Sequence, residues 1–147
     1  MKVSKKAYYG LRAAIALVQA GSPLSIHALA ESEHLPEDYL EKILQALRKA
    51  GIVEATKGVA GGYRLAHSAR ATNVWDILRV LDGPIETFTP PVKGSLPASN
   101  AGRVTHAGWP CPPASHCQTN QVWRTLEEKI EETLSGISLE HLSHTTR

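Results

Sequence analysis

Cysteine is scarce: Cys111 and Cys117 are the only two in 147 residues. Two thiols cannot build the multi-bridge framework of small secreted domains. Aromatic residues make up only 5 % of the chain, with a single Phe, so any core must be mainly aliphatic. No apolar run approaches the roughly 20 residues needed to cross a bilayer as a helix, and no membrane partner is expected. The opening segment MKVSKKAYYG has no apolar signal-peptide core. The chain is therefore expected in the cytoplasm, where reducing conditions argue against a permanent disulfide. A strong net charge is also missing, the formal balance being +2. There is no Ser–His–Asp order, phosphate loop or HExxH motif, which argues against an enzyme. No internal repeat is visible.

What is present suits one domain, or one small domain with an appendage. A hydrophobic content of 42 % is enough for a core. The charge is unevenly spread. Residues 1–67 hold nine Lys/Arg against six Asp/Glu, and residues 68–147 hold seven against eight. That asymmetry weakly favours a phosphate-facing N-terminal half.

The most informative stretch runs from Leu35 to Leu65. Pro36 suits the first helical position, where its missing N–H would be unpaired anyway. Leu40, Ile43, Leu44 and Leu47 recur at helical spacing. Asp38, Glu41, Lys42, Gln45, Arg48 and Lys49 fall mostly on the opposite face. Gly51 is a stop, with Arg48 and Lys49 in the last turn where cations suit the helix dipole. Ile52–Thr56 then reads as a strand, 57–62 as a glycine-rich turn and Tyr63–Leu65 as the return strand. A helix followed by such a hairpin is the second half of a winged helix.

The remainder fits around it. Ser4–Ala20 reads as a first helix capped by Ser4, with Ala7, Leu11, Ala14, Ile15 and Val18 in a stripe. Ser25 can cap a short second helix, IHALAESEH, and a tight turn leads to the third, as in a helix-turn-helix. Asn73 and Asp76 resemble a capping pair for a helix from Val74 to Leu81. Between Pro84 and Cys117 lie seven of the nine prolines and little periodicity, which marks a long loop. Order resumes with TNQVWRTLEEKIEETLSGI, where Thr119 can cap and Val122, Trp123, Leu126, Ile130 and Leu134 recur at spacings of three and four. A winged helix closed by the preceding helices leaves this helix needing another surface, in its own domain or in a second copy of the chain. The tail SLEHLSHTTR is expected to dock weakly. The domain expectation is thus a winged helix-turn-helix over 1–83, a loop with both cysteines over 84–118, and a dimerisation helix with tail over 119–147. The fold class is mainly α with a small β-hairpin.

Taken in order, SKKAYYGLRA, EDYLEKILQALRKAGIVEATKG with its GGYRLA, NVWDILRVLDGP, and a cysteine loop before a Trp-bearing helix resemble bacterial winged-helix regulators of the IscR, NsrR and CymR type, the Rrf-two family. The resemblance covers nearly the whole chain. It implies a homodimeric transcription regulator, most often a repressor, on a roughly palindromic DNA operator. Glu41 and Lys42 look like its base-reading positions. Asp38 and Tyr39 match residues near the DNA backbone. Lys57 stands where the family often has a basic wing residue for the minor groove, and Gly58, Gly61 and Gly62 match the wing turn. The chemistry agrees, because Glu can accept from cytosine N4, Lys can donate to guanine, and glycines permit positive φ. Any one of these lysines alone would read as a solvated surface charge. A winged helix used only for protein contacts is the rival binding class, and the outward Lys42 and Lys57 argue against it.

The resemblance also implies sensing through an iron–sulfur cluster in the loop, but here the pattern departs. Cluster-binding relatives have three cysteines at five-residue intervals and often a later histidine. Cys111 and Cys117 keep one interval, Thr105 stands at the third cysteine's place, and Asn120 stands at the histidine's. Tyr8 and Arg12 occupy first-helix positions where some relatives place a ligand from the partner subunit. His106, one residue off register, is the substitute donor. Three readings stay open: a [2Fe–2S] cluster with mixed Cys/His ligation, a clusterless switch in which Cys111 and Cys117 form a reversible disulfide, and idle cysteines with regulation by a partner protein or small molecule. His27, His34 and His67 read as surface or structural.

Overall fold

The first helix, α1 (Lys5–Ala20), starts where Ser4 adopts an extended backbone and its Oγ accepts the Ala7 N–H at 3.1 Å. The computed structural model describes residues 3–83, 105–106, 109–110 and 118–145. Ser25 caps α2 (Ile26–Glu33) in the same way through the Ala28 N–H. Pro36 is the residue before α3 (Glu37–Lys49) rather than its first helical position. The difference is one residue, and the pyrrolidine still spares an unpaired donor.

All three helices end in a left-handed residue, Gly21 after α1 with its N–H on Val18 O, and the closures after α2 and α3 are the fuller ones. After α2, His34 takes φ 56°, its N–H donating to Glu31 O and the next N–H, of Leu35, to Ala30 O. After α3, Gly51 takes φ 73°, its N–H donating to Arg48 O while Ile52 N–H reaches Leu47 O. Both are Schellman closures, which satisfy carbonyls the helix leaves unpaired. The first lets three residues join α2 to α3.

The hairpin follows at once. β1 (Val53–Thr56) pairs antiparallel with β2 (Gly62–Leu65), with Val53 opposite Leu65 and Thr56 opposite Gly62. The free edge of β2 is partly covered. Leu24 and Tyr63 exchange backbone bonds of 3.0 and 2.7 Å. A Cβ on Gly62 would lie 2.3 Å from Leu24 O, so this close approach admits only glycine. α4 (Val74–Asp82) is capped by Asn73 accepting from Asp76 N–H at 2.9 Å.

The core lies among α1, α3 and α4. Leu40, Ile43, Leu44 and Leu47 are fully buried, as are Leu29 and Ile77. Each such side chain contributes about 1.5–3 kcal/mol on leaving water. α3 is thus apolar along one side and charged along the other.

In the second half, β3 (Thr105–His106) pairs antiparallel with β4 (Trp109–Pro110), placing His106 opposite Trp109 within the segment read as loop. α5 (Gln118–Ser135) begins one residue before the cap proposed at Thr119. α6 (Leu139–Thr145) follows. By contacts the chain divides into one unit of residues 2–85 with 131–147, and another essentially of residues 86–130.

The tail does not dock weakly. Leu139 is 0 % exposed and belongs to the winged-helix core, with Leu134, Ile137 and Leu142 packed on it. Its backbone is also tied in. Leu139 N–H donates to Thr72 O at 2.9 Å, Glu140 N–H to Ala69 O at 3.1 Å, and Val74 N–H to Ile137 O at 2.9 Å. The first four helices do not complete the core, and α6 fills the remaining side against α1.

Candidate nucleic-acid interface

Because Leu40, Ile43, Leu44 and Leu47 are buried on one side of α3, helical geometry turns Asp38, Glu41, Lys42, Gln45, Arg48 and Lys49 outward, and all six are exposed. The charges are graded along the axis. Glu37 and Asp38 occupy the first turn, Arg48 and Lys49 the last. Each sign sits at the dipole end that favours it.

Individual partners differ. Glu41 accepts from Gln45 Nε2 at 3.2 Å, one turn on. Lys42 has no ion-pair partner among the described residues. Glu37 meets His27, Nδ1 to Oε1 at 2.6 Å, which joins the first turns of α2 and α3. That hydrogen bond and the carboxylate's charge raise the His27 pKa above its ordinary 6.5. Tyr39 is placed differently from its neighbours. It is half-buried, and its ring meets that of Tyr9 edge to face, centroids 6.2 Å apart at 87°.

The wing is a short finger closed by a tight turn. Gly58 takes φ 110° and its carbonyl accepts Gly61 N–H at 2.9 Å. A Cβ on Gly61 would fall 2.3 Å from Thr56 O, so the turn is packed against its own backbone. Gly62 opens β2 rather than lying in the turn. Lys57 is exposed at the start of the turn, without an ion-pair partner among the described residues. Across the finger Arg64 Nε donates to Glu54 Oε1 at 2.5 Å. The register places these two residues directly opposite.

The proposed sensor falls largely outside the described residues. Cys111 and Cys117 both do, and of His106 only the backbone position in β3 is described. The return strand β4 ends at Pro110, the residue before Cys111. Among the described residues no group of three or more His, Cys, Asp or Glu side chains is placed to hold a metal ion. On α5, Val122, Trp123 and Leu126 are 62, 41 and 43 % exposed, and Ile130 is half-buried. No helix among the described residues is long and apolar enough to cross a membrane.

Contacts not evident in the sequence include His27 with Glu37, Arg12 with Glu33, Tyr9 with Tyr39, and Leu24 with Tyr63. None of them lies within a single helix or strand. Opposite charges at unrelated positions leave no periodic signal.

Comparison with known proteins agrees with this architecture. The profile of the family described as "Rrf2: Iron-dependent Transcriptional regulator" matches residues 3–145. The HTH-type transcriptional regulator CymR of Bacillus subtilis is 32 % identical over 99 % of this chain and 92 % of its own length. The solved structure of CymR, the global cysteine regulator of B. subtilis, superposes with a TM-score of 0.74 at 29 % identity, covering all of this chain and 99 % of that one. The structure of T. potens IscR gives a TM-score of 0.72 at 32 % identity, covering all of this chain and 89 % of that one. The relatives carry the names of transcriptional regulators rather than enzymes. Capped helix-turn-helix, glycine-tipped wing, and a match from residue 3 to residue 145 together place this chain in the Rrf2 family of DNA-binding winged-helix transcription regulators.

Proposed function

We propose that the protein acts as a homodimeric repressor on a roughly palindromic operator, reading bases with Glu41 and Lys42, meeting the adjoining backbone with Asp38 and Tyr39, and entering the minor groove with Lys57. The wing turn with Gly58 and Gly61, followed by Gly62 at the start of β2, brings Lys57 close to the duplex. The observation that carries this reading is the two-sided character of α3. A wholly buried apolar side holds the helix, and an exposed side offers both a carboxylate acceptor and an ammonium donor. A helix of this kind fits the major groove, where those groups match cytosine N4 and guanine O6/N7. Dimerisation through Val122, Trp123, Leu126 and Ile130 would set two copies of α3 on half-sites related by two-fold symmetry.

The test is selection of operators from random duplex DNA, followed by binding of variants. Glu41→Ala should relax preference at one base position by about 1–3 kcal/mol. Lys57→Ala should weaken binding to all sequences alike and lower the salt slope by about one. A Glu41→Ala variant with unchanged preference would refute the base-reading assignment.

For the signal, we propose the loop of Cys111 and Cys117. Two thiolates with His106 supply three donors toward a [2Fe–2S] cluster, and imidazole ligation raises the potential of such a group. The position of Thr105 favours a second reading. Without a third thiolate, the same two cysteines can serve as a thiol–disulfide switch with no metal. Purification without oxygen separates the two. A brown protein that loses colour in Cys111→Ala and Cys117→Ala supports the cluster. A colourless protein whose operator affinity changes on thiol oxidation supports the switch.

A further inference from the structure

Tyr9 and Arg12 lie three residues apart on α1 and so share one face of it. Arg12 reaches the last residue of α2. Its Nε and Nη2 both meet Glu33 Oε2 at 2.8 Å. The Glu33 carboxylate is mostly shielded, its side chain 13 % exposed. The same guanidinium lies over the Tyr9 ring, 5.9 Å from the centroid. Tyr9 in turn meets Tyr39, in the first turn of α3, edge to face.

These contacts bracket the turn of the helix-turn-helix. Glu33 is the last residue before it and Tyr39 follows shortly after it. Between them sits His34, the one non-glycine residue with positive φ among the described residues. A side chain in that region is uncommon, and its neighbours must hold it. Held at both ends by one face of α1, the turn has little freedom to change the angle between α2 and α3. A small rotation of α3 would move Glu41 and Lys42 across the base edges they are proposed to meet.

We infer that Arg12 and Tyr9 are positioning residues for sequence recognition: they set the orientation of α3 through Glu33 and Tyr39 without themselves reading bases. The inference rests on the DNA-reading assignment above. Each interaction is of a kind suited to the task. A guanidinium that hydrogen-bonds a shielded carboxylate through Nε, with Nη2 beside the same oxygen, is a directed charge-assisted contact. Edge-to-face rings and a cation over a ring both have preferred directions. Tyr8 extends the row, 5.3 Å from Tyr9 at 74°, but it is exposed and bears on neither end of the turn.

A purely structural contact would lower stability and reduce all DNA binding together. A positioning contact should cost selectivity first. The experiment uses the full chain and the operator selected by wild type, with a scrambled duplex as competitor. Arg12→Gln should keep its helical circular dichroism, its affinity for scrambled duplex and that duplex's salt slope. Its operator-to-scrambled ratio should fall by about tenfold, which corresponds to 1.4 kcal/mol. Tyr9→Leu should do the same, and Tyr9→Phe, which keeps the ring, should retain the wild-type ratio. Unchanged selectivity in Arg12→Gln and Tyr9→Leu overturns the inference. So does an equal loss of operator and scrambled binding that tracks a lowered melting temperature. A wild-type chain that selects no sequence at all refutes the DNA-reading assignment, and the inference with it.

Discussion

A Cβ atom placed on Gly10 would lie 2.1 Å from Leu81 Cδ1 and 3.2 Å from Ile43 Cγ2. α1 therefore meets α4 and the core side of α3 at a point where a Cβ fits only if the buried Leu81 side chain shifts. A glycine inside a helix ordinarily costs about 1 kcal/mol relative to alanine. Here the close approach of the helices offsets that cost. Gly10→Ala should be destabilising by about 1–2 kcal/mol, the overpacking exceeding the gain in helix propensity. Urea unfolding measures this, and a stabilised variant would show that Leu81 moves aside freely.

The His27–Glu37 pair makes a pH-dependent contribution across the helix-turn-helix. The His27 pKa is raised, first by its hydrogen bond to Glu37 and then by that carboxylate's charge, with Glu31 adding a little. A raised folded-state pKa means the contribution is complete below the unfolded value of about 6.5 and is lost as pH rises through the folded value. The excess of wild type over Glu37→Gln in urea midpoint should be larger at about pH 5.5 than near pH 8.5, where only the helix-dipole contribution of Glu37 is left. Equal differences at both pH values would mean that Glu37 acts without His27.

The C-terminal tail should carry a full share of domain stability. Leu139 is completely buried, so Leu139→Ala should cost about 2–5 kcal/mol in chemical denaturation. Truncation after Gly136 removes the same side chain together with the bonds to Thr72 and Ala69, and should cost at least as much. A truncated chain as stable as wild type would show that α6 is dispensable.

The exposed stripe of α5 makes a separate claim about assembly. If Val122, Trp123, Leu126 and Ile130 meet their copies in a second chain, Ile130→Asp places an unpaired charge in that seam, which is strongly unfavourable. The variant should elute as a monomer by light scattering and lose operator affinity while keeping its helical circular dichroism. A folded Ile130→Asp dimer would exclude this stripe as the seam.

Much of the fold was decided locally, and those parts were legible in the sequence. Ser4, Ser25 and Asn73 cap their helices because each carries a side-chain oxygen that reaches an unpaired N–H three residues on. Leu40 to Leu47 identify α3 and its buried side because helical periodicity alone sorts apolar from charged residues. Gly51 and Gly58 mark their turns because glycine adopts positive φ without cost. The family likeness rests on the same local features. Tertiary structure alone decided the rest. Leu139 sits in a short polar tail whose pattern promises little, and it is buried because the core has room that only a distant segment can fill. Gly10 looks like an ordinary flaw in a helix until Leu81 is placed against it. Arg12 and Glu33, 21 positions apart, and Tyr9 and Tyr39, on different helices, meet because folding brings one face of α1 onto the turn between α2 and α3. Contacts between distant positions depend on how elements pack, and no periodicity or spacing within one element encodes that.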